Sequence, residues 1–544
     1  MIIDGRHILD GSVIDTDICI VGSGPAGMTL ALRLAKVTNL RIMVAESGNI
    51  IHSDRSQELA SGVVVGQNYF PLVETRLRRV GGSSWSWGGV LCQLDPMDFE
   101  ERDWVPHSGW PISSSAIAGF YSEALSNLGF KSLCKSDGSR PHSASTSDDM
   151  APAEIFFTTP KRFGRDHVAE FSQSKQIDLY VETTVLLLNP TQDGQRIISA
   201  EAGSFTGARF SIRARTYVIA GGGVENARLL MLTNRRHGTE IGNGSRRLGR
   251  YFMEHPRLAD RLWINRGLQA IEPIVNGAAD RRSFGRIGLT RDAQRREKLL
   301  NYHANLSFGY LGQEGPAWNS VRRIALAMRR PWSDSPYFQD AGGGRTKVYW
   351  NDLFRSLAHP ANTATSIVAS GLKLRRLRRF VSIISGFEQA PDPNNRIVLS
   401  DTRYDSFDQP QAEIHWSLGP VERKTYEYGL ERVIAHLDML VPGAKKARLD
   451  RARWGEDVLG TWHHIGTTRM SDQPSGGVVD TDLKVHGTDN LYVVGSSVFP
   501  TGGAAAPTFT IVALSLRLAD HLCRQSFSPT LIFPMNTAIV SKGE

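Results

Sequence analysis

The residues whose spacing speaks most directly of chemistry lie near the N-terminus. Residues 17–22, DICIVG, run into Gly22-Ser23-Gly24-Pro25-Ala26-Gly27, a G-x-G-x-x-G spacing. Between a strand and a helix this spacing suits a dinucleotide. The first glycine permits the tight turn, the second lets a pyrophosphate approach the backbone, and the third lets helix and strand pack closely. The helix N-terminus adds unpaired N–H groups and a favourable dipole for the phosphates. Glu46 follows about 20 residues on, at the end of the next apolar run, where a carboxylate can accept from ribose hydroxyls. The pattern serves NAD and FAD alike.

Two further segments carry chemistry-bearing residues. Residues 78–89 read Arg78-Arg79-Val80-Gly81-Gly82-Ser83-Ser84-Trp85-Ser86-Trp87-Gly88-Gly89. Successive small residues let backbone N–H groups point at phosphates or at a ring system. Residues 462–470, WHHIGTTRM, hold the adjacent pair His463 and His464. Imidazole titrates near neutrality and suits proton transfer. Neighbouring side chains on an extended segment face opposite ways, so the two histidines cannot share one role. Cys19, Cys92, Cys134 and Cys523 are far apart and form no Cys/His cluster, so no metal site is expected.

The elements that must position these residues are legible in outline. Residues 17–22, then PAGMTLALRLAK, then LRIMVAES read as strand, helix and strand, the unit of a parallel sheet. RTYVIAG at 215–221 reads as another buried strand followed by a helical ENARLLMLT. NLYVVGSSVFP at 490–500 leads into the long amphipathic PTFTIVALSLRLADHLCR. These strands are dispersed over the chain, so the sheet is assembled from distant segments. Residues 131–150 are polar and small, a surface excursion, and NRIVLSD and AEIHWSL alternate as antiparallel strands do.

Composition bounds the alternatives. The 544 residues are 41% apolar and 22% charged, which excludes a mainly disordered or fibrous protein. Glycine numbers 52, against roughly 38 at average usage. The formal charge of +8 is mild for this length, and nucleic acid is not expected as a partner. The N-terminus carries acids where a signal peptide needs basic residues, and no run approaches the ~18 apolar residues of a transmembrane helix. The expectation is a cytoplasmic protein. The run 373–379, KLRRLRR, is basic and amphipathic, a solvated helix face or a weak contact with an anionic surface.

Four ordered segments (the N-terminal fingerprint, 78–89, YVIAGGGVENAR at 217–228, and WHHIGTTRM with the stretch after it) resemble the glucose–methanol–choline (GMC) oxidoreductases, FAD flavoproteins. The likeness runs from the first strand to the last helix and is weak over roughly 256–450, with the variants closest to bacterial sugar- or glycoside-type members. It implies an α/β fold: a discontinuous Rossmann-like FAD domain (1–130, 175–255, 455–530) and an α+β substrate domain (256–454) placing an antiparallel sheet over the flavin. Residues 131–174 would be a peripheral excursion or lid, and 531–544 a tail. FAD would contact Gly22, Gly24, Gly27, Glu46, Arg78, Gly81, Gly82, Ser83, Val185, Ala220, Glu225, Gly495, Ser496, Pro507 and Thr508. Residues 78–89 contain no histidine, so FAD is expected to be non-covalent.

The resemblance further implies oxidation of an alcohol group on a sugar, glycoside or polyol. His463 heads the family's H-x-x-G-T segment as general base while hydride passes to flavin N5. Trp87 and His464 are candidate substrate contacts, and His255 in RYFMEHPR reads as structural. The electron acceptor stays open among oxygen, a quinone and a protein. One position departs from the family pattern: Ala506 stands where an Asn or His usually partners the base. That keeps two alternatives in play, a lyase or other non-redox enzyme with a structural flavin, and a catalytically impaired flavin-binding protein.

Overall fold

The computed structural model describes residues 1–129, 149–157, 161–264, 266–276, 283–311 and 374–526, with isolated positions between 313 and 372. The tail 531–544, Lys373, Cys134 and most of 311–365 lie outside the described residues.

Five parallel strands lie side by side in the order Ile2–Asp4, Ile177–Val181, Ile42–Ala45, Val13–Val21 and Arg209–Ile219. Leu491–Val493 adds to the end of Arg209–Ile219, again parallel. Ile197–Gly203 and Thr184–Pro190 complete the sheet in antiparallel register. Ile18, Cys19 and Ile20, and the whole of Ile42–Ala45, are buried, as strands covered on both faces must be. The helices Pro25–Val37 and Thr508–Ser526 pack against each other beside this sheet. The sheet thus unites strands from the two ends and the middle of the chain.

A second sheet is wholly antiparallel, in the order Leu449–Asp450, Arg257–Leu262, Arg378–Phe387, Tyr302–Tyr310, Ser283–Leu289, Met150–Phe157 and Val90–Leu91. The helix Pro420–Leu440 crosses it, and Gly429 allows the approach, because a Cβ there would press into the Tyr302 ring at 2.5 Å. No described helix is long and apolar enough to cross a membrane.

Two expectations are corrected. The excursion 131–174 contributes an inner strand to the second sheet, Met150–Phe157, whose residues 150–156 pair with Ser283–Leu289 and whose end pairs with Val90–Leu91. Arg396–Tyr404 and Pro410–Trp416 are antiparallel strands, as their alternation implied, and form a separate three-stranded sheet completed in parallel by Gly62–Gly66. The basic run 373–379 is not a helix face. Arg375–Leu377 is one short turn before a strand, Arg375 and Arg378 both pair with Glu272, and Arg378 lies over the Phe308 ring. Two of its charges thereby share one carboxylate within the fold.

Candidate functional site

The strand Val13–Val21 ends in Gly22, whose φ of +104° is the left-handed turn that favours glycine. At Gly27 a Cβ would collide with the Gly22 carbonyl, so helix and strand are in backbone contact there. Gly24 is different. Its φ is an ordinary −67°, and a Cβ on it would meet no protein atom within 4 Å. The chain does not need glycine at this position; the open space beside the helix N-terminus does.

The loop 78–89 lies against this turn. Gly81 donates its N–H to the Ser23 carbonyl (3.0 Å), and a Cβ on Gly82 would sit 3.0 Å from the Gly24 Cα. A Cβ on Gly81 would strike the Gly164 backbone. The Glu46 carboxylate accepts from Ser23 N (3.0 Å), Ser23 Oγ (2.6 Å) and Gly48 N (2.9 Å), which ties the second strand to the same turn.

One cavity runs from this turn across the sheet. Of the residues expected to contact a cofactor or substrate, Gly22, Gly24, Glu46, Arg78, Gly82, Ser83, Trp87, Val185, Ala220, Glu225, His463, His464, Gly495, Ser496, Ala506, Pro507 and Thr508 line it. Gly27 and Gly81 stand behind the wall and shape it through the backbone contacts above. Trp87 and Trp85 are distinguished: Trp87 lines the cavity with its indole N–H given to the Lys161 carbonyl (2.8 Å), whereas Trp85 bonds Val80 O beneath the Arg79 guanidinium.

Within the cavity the charge is arranged differently from expectation. Glu225 accepts from Arg76 (2.8 Å), Arg78 (2.7 Å) and Arg228 (3.2 Å). Although burial opposes ionisation, the three guanidiniums hold its carboxyl far below the usual range. Arg78 is therefore engaged by Glu225 (2.7 Å) and by Ser47 Oγ (3.1 Å) at the cavity wall.

The two histidines line the same cavity, His464 within electrostatic reach of Arg76 and Glu225. His464 turns its ring away, to Tyr69 Oη (3.0 Å) and the Phe252 ring, and burial pushes its pKa down to about 3. His463 points the opposite way: its Nδ1 lies 2.8 Å from His255 Nδ1 and 3.0 Å from Thr461 Oγ. Its ring keeps some open surface toward the cavity, yet it lies deep in the protein, and desolvation, then the neighbouring His255, hold its pKa well below the ordinary 6.5. Buried Glu254 gathers the segment, accepting at Oε2 from the backbone N–H groups of His463 (3.0 Å), Thr461 (3.1 Å) and His255 (3.2 Å). Ala506 presents a methyl group to the same cavity and neither donates nor accepts.

Sequence reasoning missed His255 as a partner of His463, and missed Glu254, Thr461, Arg76 and Arg228. The available signal was FMEHPR itself, where an acid and a histidine adjoin in an otherwise apolar context.

A dinucleotide-binding turn with space held open at Gly24, leading along one cavity to a neutral histidine, describes a nucleotide-cofactor oxidoreductase rather than a nucleotide hydrolase or a scaffold. Comparison with known proteins carries this further. Residues 391–515 match the family model described as GMC oxidoreductase. The 2-methyl-1,2-propanediol dehydrogenase of Mycolicibacterium austroafricanum is 22% identical, over 94% of this chain and 96% of that protein. The large subunit of the fructose dehydrogenase of Gluconobacter japonicus is 27% identical, over 57% of this chain and 47% of that subunit. A fungal aryl-alcohol oxidase superposes with a TM-score of 0.55 at 15% identity, over 94% of this chain and 100% of that one, a likeness of fold. The chain thus resembles the GMC oxidoreductases, and its C-terminal segment matches their family model. It is an FAD-dependent oxidoreductase acting on alcohol groups.

Proposed function

We propose that this protein oxidises an alcohol group on a sugar, glycoside or polyol, with His463 as general base and FAD held non-covalently. The observation that carries the reading is His463 itself: a neutral imidazole at the cavity wall whose Nδ1 is occupied by protein and whose Nε2 takes no hydrogen bond from the described residues. A hydroxyl bound in the cavity would give its proton to that Nε2.

The open face at Gly24 fits a pyrophosphate, and the N–H groups of the first turn of Pro25–Val37 have no intrahelical partners. Gly22, Gly24, Glu46, Gly82, Ser83 and Val185 would hold the cofactor on one side, Ala220, Gly495, Ser496, Pro507 and Thr508 on the other. FAD supplies the two-electron acceptor when bound. The N-terminus of Thr508–Ser526 places its dipole at the cavity, favourable to negative charge developing there. A polyhydroxylated substrate is supported by relatives named for a diol and for fructose, and by Trp87 at the cavity wall.

The test is anaerobic mixing of holoenzyme with a panel of sugars, glycosides and polyols, followed by the flavin absorbance. Bleaching by at least one compound is expected, and His463→Ala should slow it by about 10²- to 10⁴-fold. A flavin that no alcohol bleaches would favour a structural cofactor. An undiminished rate in His463→Ala would remove His463 as the base.

A further inference from the structure

We infer that His255 is a positioning residue that sets the ring tautomer of His463, leaving Nε2 as the basic nitrogen. The inference rests on the reading of His463 as the base and adds what makes one of its two nitrogens the reactive one.

Two Nδ1 atoms 2.8 Å apart require one proton between them. Its owner follows from the far side of His255, where Nε2 lies 3.3 Å from the Gly502 carbonyl oxygen. A carbonyl only accepts, so His255 carries its proton on Nε2. Burial keeps His255 neutral, with its pKa pushed down to about 4. Its Nδ1 is therefore a lone pair, and the proton between the rings belongs to His463 Nδ1. Thr461 gives the same answer independently. Its hydroxyl donates to the His255 carbonyl (3.1 Å), so its oxygen is free to accept from His463 Nδ1 at 3.0 Å. A neutral imidazole has one N–H, so His463 Nε2 carries the lone pair.

The arrangement is held from the backbone. Glu254 Oε2 binds the N–H groups of both histidines, and Met253 and Ile465 bridge the two segments. Gly502 lies in the loop that carries Ala506. Where the side chain at 506 offers no hydrogen bond, the loop reaches the base through a carbonyl and His255 instead. His255 is not a second base, because its Nδ1 lone pair is engaged by His463 Nδ1–H and its Nε2 carries the proton given to Gly502. The other charged or titratable groups acting on the pair are His464 and Arg257 on His463, Glu388 and Arg286 on His255, and Glu254 beneath both.

The test reads the tautomer directly. In ¹⁵N-histidine-labelled holoenzyme at pH 7.5, long-range ¹H–¹⁵N spectra, assigned by comparison with His463→Gln, should show His463 protonated at Nδ1 and bare at Nε2. His255→Asn retains a carbonyl that can accept the same proton and should preserve that signature. His255→Ala should show mixed tautomers and a limiting rate of flavin reduction lower by roughly 10- to 100-fold, most of which His255→Asn recovers. A wild-type spectrum with the proton on Nε2 overturns the inference, even if His255→Ala fails to fold. So does a His255→Ala enzyme with unchanged tautomer and rate, or a His255→Asn enzyme as impaired as His255→Ala. A His463→Gln enzyme that reduces its flavin at the wild-type rate overturns instead the reading of His463 as the base.

Discussion

At the scale of single residues, the chemistry depends on a histidine kept uncharged. An isolated imidazole titrates near 6.5 and would be partly protonated, and so unavailable as a base, at mildly acid pH. Burial, then the neighbouring His255, then His464 and Arg257, all act in one direction on His463 and lower its pKa. The sign of the pH dependence follows. The base is lost only when it takes up a proton, so activity is full above the folded-state pKa and falls on the acid side. Because that pKa lies well below 6.5, the acid limb of the limiting rate of anaerobic flavin reduction should fall below pH 6.5. Stopped-flow measurements from pH 4.5 to 8.5 would show it. A limb centred at or above 6.5 would mean that the ring is solvated as an ordinary histidine is.

At the scale of elements, the turn between the strand Val13–Val21 and the helix Pro25–Val37 separates two uses of glycine. Gly27 is required by the chain, since a Cβ there meets the Gly22 carbonyl; Gly24 is required only by what enters the cavity. Gly27→Ala should therefore destabilise the FAD-free protein by about 1–3 kcal/mol. Gly24→Ala should leave its melting temperature unchanged while weakening FAD binding, read by flavin fluorescence titration. Equal losses of stability in both would refute the distinction. This turn was legible in the sequence because its signal is local: an apolar run, three glycines, then helical periodicity. The loop 78–89 and the strand before Gly495 were legible for the same reason. The pairing of His255 with His463 was not, because it joins positions 208 residues apart and neither segment carries a pattern naming its partner. Alternation in NRIVLSD and AEIHWSL announced strands but could not say that Gly62–Gly66 would complete their sheet. Met150–Phe157 was hidden by the polar stretch before it. In 373–379 the helical reading failed because Glu272, a hundred residues earlier in the chain, draws Arg375 and Arg378 onto a turn and strand.

At the scale of the whole molecule, the loop 501–506 before the last helix is gripped from two sides by buried groups whose titrations oppose each other. His255 holds the Gly502 carbonyl, and its pKa is lowered to about 4 by burial. The Asp98 carbonyl accepts from Thr501 Oγ (2.6 Å), its carboxylate lies where a Cβ on Gly503 would go, and burial, then Glu388, raise its pKa to about 7. A histidine with a lowered folded pKa contributes stability that is complete above 6.5 and lost as pH falls toward 4. An aspartate with a raised one does the reverse, favouring the fold as pH falls from 7 toward 3.8. For His255 the difference amounts to roughly 3 kcal/mol once pH is below its folded pKa. His464 and His463, lowered likewise, add to the acid side of the balance. The holoenzyme should therefore lose thermal stability between pH 7 and pH 4.5, and two substitutions should change the slope in opposite senses. His255→Asn removes a group that must stay neutral and should flatten the decline. Asp98→Asn removes the group that resists it and should steepen the decline, whatever each does to the melting temperature at pH 7.5. Differential scanning calorimetry at half-unit pH steps would decide it, since parallel curves for the three proteins would mean that neither group titrates with folding and that the loop is held by packing alone.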